Sequence, residues 1–226
     1  MKDVPFSDLF SSFPGPGSSF IEIGGFPGTF AVYFRKYRGY QVSILDCFYA
    51  PSVIRGMERA NSLAEGSIRT LKEDFLEFAT DKRYDVVFSA GFIEHFLDLG
   101  LVLRKMCDLL KPGGTLFASV PNFRGINGLI QKMFDGSNYD AHNLEAMNTR
   151  RLEDICGSLG LQQFRAFYYG VPGIWLRGSA RVNHLTKIML GKLNTVMTYV
   201  PLTNRYFSPH VVLLARKTDD ETRSCR

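Results

Sequence analysis

The stretch at residues 20–30, FIEIGGFPGTF, constrains the fold of this chain more than any other part of the sequence. It reads as a short apolar strand that runs into a glycine-rich turn and then into a helix, with Glu22 near the end of the strand. Glycine lets the backbone bend sharply and approach a ligand closely, and Gly24, Gly25 and Gly28 supply it here. The stretch therefore predicts a strand-turn-helix unit whose turn cradles a ligand.

A second stretch, SILD, reads as another strand and ends in Asp46, eighteen residues after Gly28. Nucleotide-binding βαβ units place a carboxylate at about this spacing, where it holds ribose hydroxyls. A glycine turn alone is weak evidence, because tight strand-to-helix turns need glycine with or without a ligand. The turn and the acid together predict a site for a cofactor that contains a nucleoside.

With these residues the chain resembles the class I S-adenosylmethionine-dependent methyltransferases, whose first motif has the form acid-x-G-x-G-x-G. Glu22, Gly24 and Gly28 match this motif, while Phe26 replaces the middle glycine. The side chain of Phe26 must therefore point away from the cofactor or narrow its pocket. The segment LLKPGGTLFASVPN and the EH-x-x-D stretch that begins at Glu94 extend the resemblance over about residues 18–170 and again over 209–217.

The resemblance implies an α/β fold, a doubly wound, seven-stranded and mostly parallel Rossmann-like sheet with a reversed last strand. At 226 residues the chain suits one well-buried domain, which we place at 18–217. Residues 1–17 would form an N-terminal cap segment over the substrate side or a loosely packed terminus, and 218–226 a disordered tail.

Hydrophobic periodicity and turn residues indicate the individual elements. The pattern predicts strands at 20–23, 40–45, 68–71, 84–90, 115–120, 161–169 and 209–216. It predicts helices at 7–13, 29–37, 51–64, 97–110, 149–159 and 181–200. Residues 122–148 read as a long, irregular, glycine-rich loop.

In open parallel sheets, ligands bind beyond the carboxyl ends of the strands, and several polar residues of this chain fall at such ends. The resemblance implies that Asp46 binds the ribose of S-adenosylmethionine and that Asp74 accepts from the adenine amine. As an alternative, Asp74 is the N-cap of a following helix. The full predicted set of cofactor-binding residues is Glu22, Gly24, Gly25, Phe26, Gly28, Asp46, Cys47, Asp74, Phe75, Ser89, Ala90, Gly91 and Glu94.

Methyl transfer from a sulfonium is an in-line displacement in which positioning does most of the work, and a hydroxyl acceptor also benefits from a histidine base. His95, after the fourth strand, and His142, in the long loop, are the predicted catalytic residues. Their alternatives are a histidine that caps the next helix and a solvated loop histidine. His184 and His210 read as structural. Because Gly91 stands where related enzymes carry a metal-binding acid, we expect no metal.

The composition sets further bounds. The net charge of +5 and the pI near 9.0 suit an anionic substrate, a nucleic acid or a membrane surface. The sequence shows neither an appended basic RNA-binding module nor an NPPY-type amine motif, so we expect no nucleic-acid partner. Four scattered cysteines, no apolar secretory segment and no run of eighteen apolar residues favour a cytoplasmic location.

A helical insertion at about 174–205 carries an apolar stripe on the predicted helix Arg181–Val200. The stripe comprises Val182, Leu185, Ile188, Met189, Leu193, Val196, Met197 and Val200. Arg177, Arg181, Lys187 and Lys192 lie near or opposite it, so the helix could contact an anionic membrane surface peripherally. The alternative is packing over the substrate cleft or against a second subunit in a homodimer, which is the more usual fate of such stripes.

The glycine-turn variant, the EHF stretch and the aromatic loop most resemble bacterial methyltransferases of sugar, surface-glycan or secondary-metabolite pathways. The resemblance implies methyl transfer to an oxygen, with nitrogen as second choice, of a small-molecule acceptor. Two alternatives remain open at this point. One is a non-catalytic, methyltransferase-like partner subunit whose pocket is closed by Phe26. The other is a nicotinamide-dependent oxidoreductase, which would need the GxGxxG pattern that GGFPG does not provide.

Overall fold

A computed structural model describes residues 4–174, 176, 184–197, 199 and 202–219. A short 3₁₀ helix, Ser7–Ser12, precedes the first strand. The strands are β1 (Ser19–Ile23), β2 (Gln41–Asp46), β3 (Ile68–Lys72), β4 (Tyr84–Ala90), β5 (Leu110–Pro121), β6 (Gln162–Tyr169) and β7 (His210–Arg216). The helices are α1 (Thr29–Arg38), α2 (Pro51–Ala60), α3 (Leu99–Asp108), α4 (Ile126–Phe134), α5 (Gly136–Asp140), α6 (Thr149–Ser158) and α7 (His184–Met197).

The strands form one seven-stranded sheet in the order β3-β2-β1-β4-β5-β7-β6. Strands β1 to β5 pair in parallel, whereas β7 runs antiparallel to both β5 and β6. The strand order reverses between β1 and β4, which is where ligands bind in doubly wound sheets. The predicted α/β fold with a reversed last strand is confirmed.

Both faces of the sheet are covered, which explains why its central strands are continuously apolar. Ile21 and Val87 face a core that α3 and α6 complete, and Phe20 and Phe88 face a second core on the side of α1. The sequence signal for the central strands is strong because most residues of these strands are buried on one side or the other.

The N-terminal segment belongs to the second core. Phe10 is fully buried, and its ring centroid lies 4.9 Å from that of Phe34 and 5.9 Å from that of Phe117. Phe117 in turn stacks on Phe88 at 4.5 Å. The alternative of a loosely packed terminus is therefore wrong for the described part of this segment, whose aromatic side chains fill the space between α1 and the sheet.

Two helices are shorter than predicted. Helix α3 begins at Leu99 because Asp98 is its N-cap and accepts a hydrogen bond from the Leu101 N–H at 2.9 Å. It ends before Leu110, which already pairs with Tyr84 in the sheet. Helix α2 ends at Ala60, four residues before the predicted end.

The prediction of an irregular loop at 122–148 is wrong, since this region contains α4, α5 and a 3₁₀ helix at Leu144–Met147. Helix α4 buries Asn127 and Gln131 and exposes Leu129 and Met133. Its apolar residues follow the spacing of a helix, so the sequence carried a signal for α4 that the prediction did not use. The pattern did not show which side is buried, because the polarity of α4 is opposite to that of an ordinary surface helix.

Within the part of the chain that the structure describes, every helix is too short or too polar to cross a lipid bilayer.

We expect Phe10→Ala to lower the free energy of unfolding by about 3–5 kcal/mol, because it leaves a cavity among packed aromatic rings. Urea denaturation of the protein without cofactor measures this loss. Phe48→Ala is the matched control, since the Phe48 side chain is 74% exposed and its loss should change stability by less than about 1 kcal/mol. Equal effects of the two substitutions would show that the N-terminal segment does not contribute to the core.

Candidate active site

The glycine turn after β1 adopts a conformation that only glycine tolerates well. Gly24 and Gly28 have φ angles of 67° and 99°, in the left-handed region. The Gly24 N–H donates to the Leu45 carbonyl at 2.9 Å, which joins the turn to the end of β2. A Cβ on Gly25 would overlap the side chain of Glu22. The turn is thus a close-fitting cradle that side chains would fill.

Glu22 supports this turn from the protein interior. Its side chain is buried, and Oε2 accepts a hydrogen bond from the Ala31 N–H in the first turn of α1 at 2.9 Å. Burial raises the pKa of Glu22 to about 8, against the opposing effect of that hydrogen bond. The structure therefore gives this predicted cofactor residue a role in shaping the cradle.

Asp46 ends β2 beside the cradle, as predicted. One carboxylate oxygen accepts from the Phe26 N–H at 3.0 Å and the other from the Phe48 N–H at 2.8 Å. A carboxylate has about four acceptor positions, so each oxygen retains capacity for a ribose hydroxyl. The partly buried Phe26 ring packs against the core on the α1 side of the sheet.

The end of β3 forms the neighbouring part of the site. Asp74 is exposed, and its Oδ1 accepts from the Leu76 N–H at 2.7 Å in a turn, so the alternative that it caps a helix is wrong. Phe75 is buried and packs edge-on against Phe92 with centroids 5.4 Å apart. Asp74 thus retains an exposed carboxylate, and the adenine role of Asp74 and Phe75 stays a prediction.

Sequence reasoning missed one aromatic residue here. Phe48 follows Asp46 by two positions and is 74% exposed, whereas the predicted Cys47 is exposed and free. An exposed ring beside the ribose acid offers a flat surface on which an adenine can stack. The run of aromatic residues directly after the acid was the available signal.

Beyond the end of β4 lies a cavity of about 400 Å³. Among the predicted residues it includes Ala90, Gly91, Glu94, His95 and His142. The remaining lining residues are Pro5, Phe6, Phe30, Ser119, Val120, Pro121 and His210. Ser89 lies next to these residues, fully buried, with an Oγ that has no hydrogen-bond partner in the described part of the protein.

The two predicted catalytic histidines lie together at this cavity. Their ring centroids are 4.9 Å apart, although 47 positions separate them in the sequence. His95 is exposed on a one-turn 3₁₀ helix, and Asp98 caps the next helix. The alternative that His95 caps this helix is therefore wrong.

His142 is held in place by its own loop. Its Nδ1 lies 2.5 Å from the Asn138 carbonyl, so Nδ1 carries the donating hydrogen and Nε2 carries the lone pair of the neutral ring. The neighbouring Asn143 N–H donates to the Glu94 carbonyl at 2.7 Å. This backbone bond fixes the loop against the end of β4 and brings His142 to His95.

Glu94 completes the cluster. It is 1% exposed, burial raises its pKa to about 8, and its Oε2 has no hydrogen-bond partner in the described residues. Potential ligand atoms of Glu94, His95 and His142 all lie within 4.8 Å of one another. Two imidazoles and a carboxylate form a donor set that suits a divalent cation. The expectation of no metal rested on Gly91 replacing an acid, and His142 is a further possible donor. The absence of a metal stays a prediction.

His210, which the sequence analysis classed as structural, also lines the cavity. It is the first residue of β7 and pairs with Pro121, the last residue of β5. Because β7 is antiparallel, its beginning lies at the edge where the parallel strands end. Burial lowers the pKa of His210, so the neutral ring is favoured. The predicted reversal of the last strand was the signal that could have identified this residue.

A doubly wound sheet with a reversed strand, a glycine turn after β1 and an acid at the end of β2 defines a class I, Rossmann-like methyltransferase. The model of the methyltransferase domain family matches residues 6–165, which is more than half of the chain. The chain belongs to this family. It carries a methyltransferase domain, and known structures of the same fold include an S-adenosylmethionine-dependent methyltransferase.

Similar proteins include enzymes with different acceptors. The chain is 29% identical over 106 residues to a ubiquinone biosynthesis O-methyltransferase of Stutzerimonas stutzeri, covering 47% of this chain and 45% of that one. It is 28% identical over 103 residues to the pavine N-methyltransferase of Thalictrum flavum subsp. glaucum, covering 45% and 28%. The chain thus matches less than half of the length of these relatives.

A known structure is similar to this one over almost the whole length of both chains. A SAM-dependent methyltransferase from Archaeoglobus fulgidus superimposes with a TM-score of 0.62 at 18% identity, over 94% of this chain and 91% of that one. At this identity the likeness concerns the fold.

We expect Asp46→Ala to weaken S-adenosylmethionine binding by about 10- to 100-fold, because hydrogen bonds to a charged group contribute about 1.5–3 kcal/mol. Asp46→Asn keeps one acceptor oxygen and should lose less. Calorimetric titration measures both, with Asp81→Ala, a change at another exposed aspartate, as the control. An unchanged dissociation constant for Asp46→Ala would remove Asp46 from the cofactor site.

Glu22 should make stability depend on pH in a defined direction. Its pKa in the folded protein lies above the ordinary value of 4.5, so its contribution is complete below about pH 4.5 and is lost as the pH rises through about 8. Relative to Glu22→Gln, the unmodified protein should therefore lose roughly 4 kcal/mol between about pH 5 and about pH 9.

Urea denaturation at the two pH values tests this expectation. Glu77→Gln is the control. Glu77 is exposed, so its replacement should change the free energy of unfolding by the same amount at both pH values. If Glu22→Gln also changes the free energy of unfolding by the same amount at both pH values, Glu22 is ionised in the folded protein at neutral pH.

Proposed function

We propose that the protein transfers the methyl group of S-adenosylmethionine to an oxygen atom of a small molecule, with His95 as the base. The observation that carries this proposal is the pair of imidazole rings, whose centroids lie 4.9 Å apart. Both histidines line the cavity at the end of β4, and Ala90 and Gly91 form part of its wall. Residues at this strand end adjoin the cofactor cradle, so an acceptor in the cavity would lie beside the transferable methyl group.

In the proposed reaction the protein positions the acceptor oxygen in line with the methyl group and supplies a base for one proton. The acceptor oxygen forms a bond to the methyl carbon while the carbon–sulfur bond breaks, and the neutral thioether leaves. The hydroxyl proton passes to His95. His142, oriented through its Nδ1 by the Asn138 carbonyl, presents Nε2 as a second acceptor for that proton or for the acceptor's hydrogen bond.

The cavity supports a small acceptor. A volume of about 400 Å³ is near the lower end of the range for small-molecule sites, which is about 300–1,000 Å³. Its walls combine aromatic rings, such as Phe6 and Phe30, with the polar groups of the histidines. Such walls suit a compact ring that carries hydroxyls, and we propose a sugar, a glycan precursor or a secondary metabolite.

Nitrogen is the second candidate atom. An amine acceptor must also lose a proton, and the same histidines could take it. One relative is named an O-methyltransferase and the other an N-methyltransferase, so both kinds of acceptor occur among similar proteins. The non-catalytic alternative loses its support, because the Phe26 ring packs into the core. The family membership contradicts the oxidoreductase interpretation.

We expect His95→Ala to lower the rate of methyl transfer by about 10²- to 10³-fold while the dissociation constant of S-adenosylmethionine changes less than about twofold. Thioether release from a panel of sugar and phenolic acceptors measures the rate, and calorimetry measures binding.

His95→Gln is the matched control, because it keeps hydrogen-bonding groups at this position without a titratable base. It should be as slow as His95→Ala. Full activity of either variant, or an equal loss of binding and rate, would remove His95 from the role of base.

A further inference from the structure

The charges of this chain are distributed very unevenly. Residues 170–209, which include α7, contain five lysines and arginines and no aspartate or glutamate. The whole chain has a net charge of +5, so the remainder has no net charge. A strongly cationic region on a moderately charged protein favours an anionic partner.

Helix α7 lies within this region and exposes apolar side chains. Ile188, Met189, Leu193 and Val196 are 43%, 63%, 41% and 63% exposed. At 3.6 residues per turn they fall on one arc of about 140°, with the exposed Lys192 among them. The prediction that this stripe packs over the substrate cleft is thus wrong for these residues. The flanking residues of the predicted helix, 181–183, 198 and 200, lie outside the described part of the chain.

The other side of α7 is fixed to the protein. Asn194 accepts a hydrogen bond from the Ile174 N–H at 2.6 Å and donates to the Ile174 carbonyl at 2.5 Å. Met197 is 7% exposed. The apolar arc therefore faces outward because the opposite side is anchored.

The segment that follows α7 also exposes large side chains. Tyr199 and Tyr206 are 83% and 52% exposed, and the Tyr206 carbonyl accepts from the Ile126 N–H of α4 at 2.8 Å. Helix α4, tied to this segment, also turns apolar side chains outward, with Leu129 at 67% and Met133 at 72% exposed. Two connected helices thus present apolar residues to the surroundings of the protein.

We propose that the exposed face of α7, defined by Ile188, Met189, Lys192, Leu193 and Val196, docks on the surface of an anionic lipid bilayer. A helix that lies in a membrane interface buries apolar side chains at the headgroup boundary, and its lysines contact anionic lipids. Exposed tyrosines are typical of the same interface. A second copy of this chain fits less well, because two cationic regions would then meet.

Co-sedimentation with vesicles tests the proposal. The protein should bind vesicles that mix phosphatidylcholine with phosphatidylglycerol at least about tenfold more tightly than vesicles of phosphatidylcholine alone, and added salt should weaken the binding. The double variant Met189→Glu/Val196→Glu should bind the mixed vesicles at least about tenfold more weakly, because it places carboxylates on the apolar face.

Leu97→Glu/Leu101→Glu is the matched control, since both leucines are exposed at the start of α3 and away from the cationic region in sequence. It should bind within about twofold of the unmodified protein. Calorimetric binding of S-adenosylmethionine shows that each variant is folded.

Three results would overturn the proposal. The first is no binding of the unmodified protein to mixed vesicles, and the second is an equal loss in the control variant. The third is a dimer in light scattering that Met189→Glu/Val196→Glu dissociates, which would assign this face to a second copy.

Discussion

The hydrogen bond between the Ala31 N–H and the buried carboxyl of Glu22 is the constraint on which the site depends. Burying a carboxyl group is costly, and the raised pKa of Glu22 records that cost. This hydrogen bond joins the end of β1 to the first turn of α1 and restricts the conformation of the glycines between them. Asp46 then fixes the other side of the turn through the Phe26 N–H. The shape of the cradle is therefore a consequence of two acidic side chains that accept hydrogen bonds from backbone amides.

Much of the fold could be predicted from the sequence, and the reason is physical. Strands such as β4 are buried on both faces, so most of their positions are apolar and the signal is strong. Left-handed turns require glycine, which makes Gly24 and Gly28 visible. The grouping of Asp46, Asp74 and Ser89 at one edge follows from parallel strands alone. For these residues local chemistry and long-range geometry agree.

The rest could not be predicted because the decisive contacts are distant in sequence. Helix α4 buries Asn127 and Gln131, and only the folded protein shows which side of it is covered. The same holds for α7, whose apolar stripe looked like part of the core. His142 reaches His95 through a backbone bond between Asn143 and Glu94, which no spacing rule encodes. Periodicity can indicate such a helix, but it does not show which side is buried when the polarity is inverted, or which remote strand a loop contacts.

The cavity beside the two histidines has walls from distant parts of the sequence. The rings of Phe6 and His210 meet edge to face with centroids 5.3 Å apart, and both line the cavity. The glycine turn, in contrast, is held by Glu22 and Asp46, which are much closer in sequence. The cavity is therefore complete only when β7 has joined the sheet beside the N-terminal segment, whereas the turn depends on contacts within the first βαβ unit.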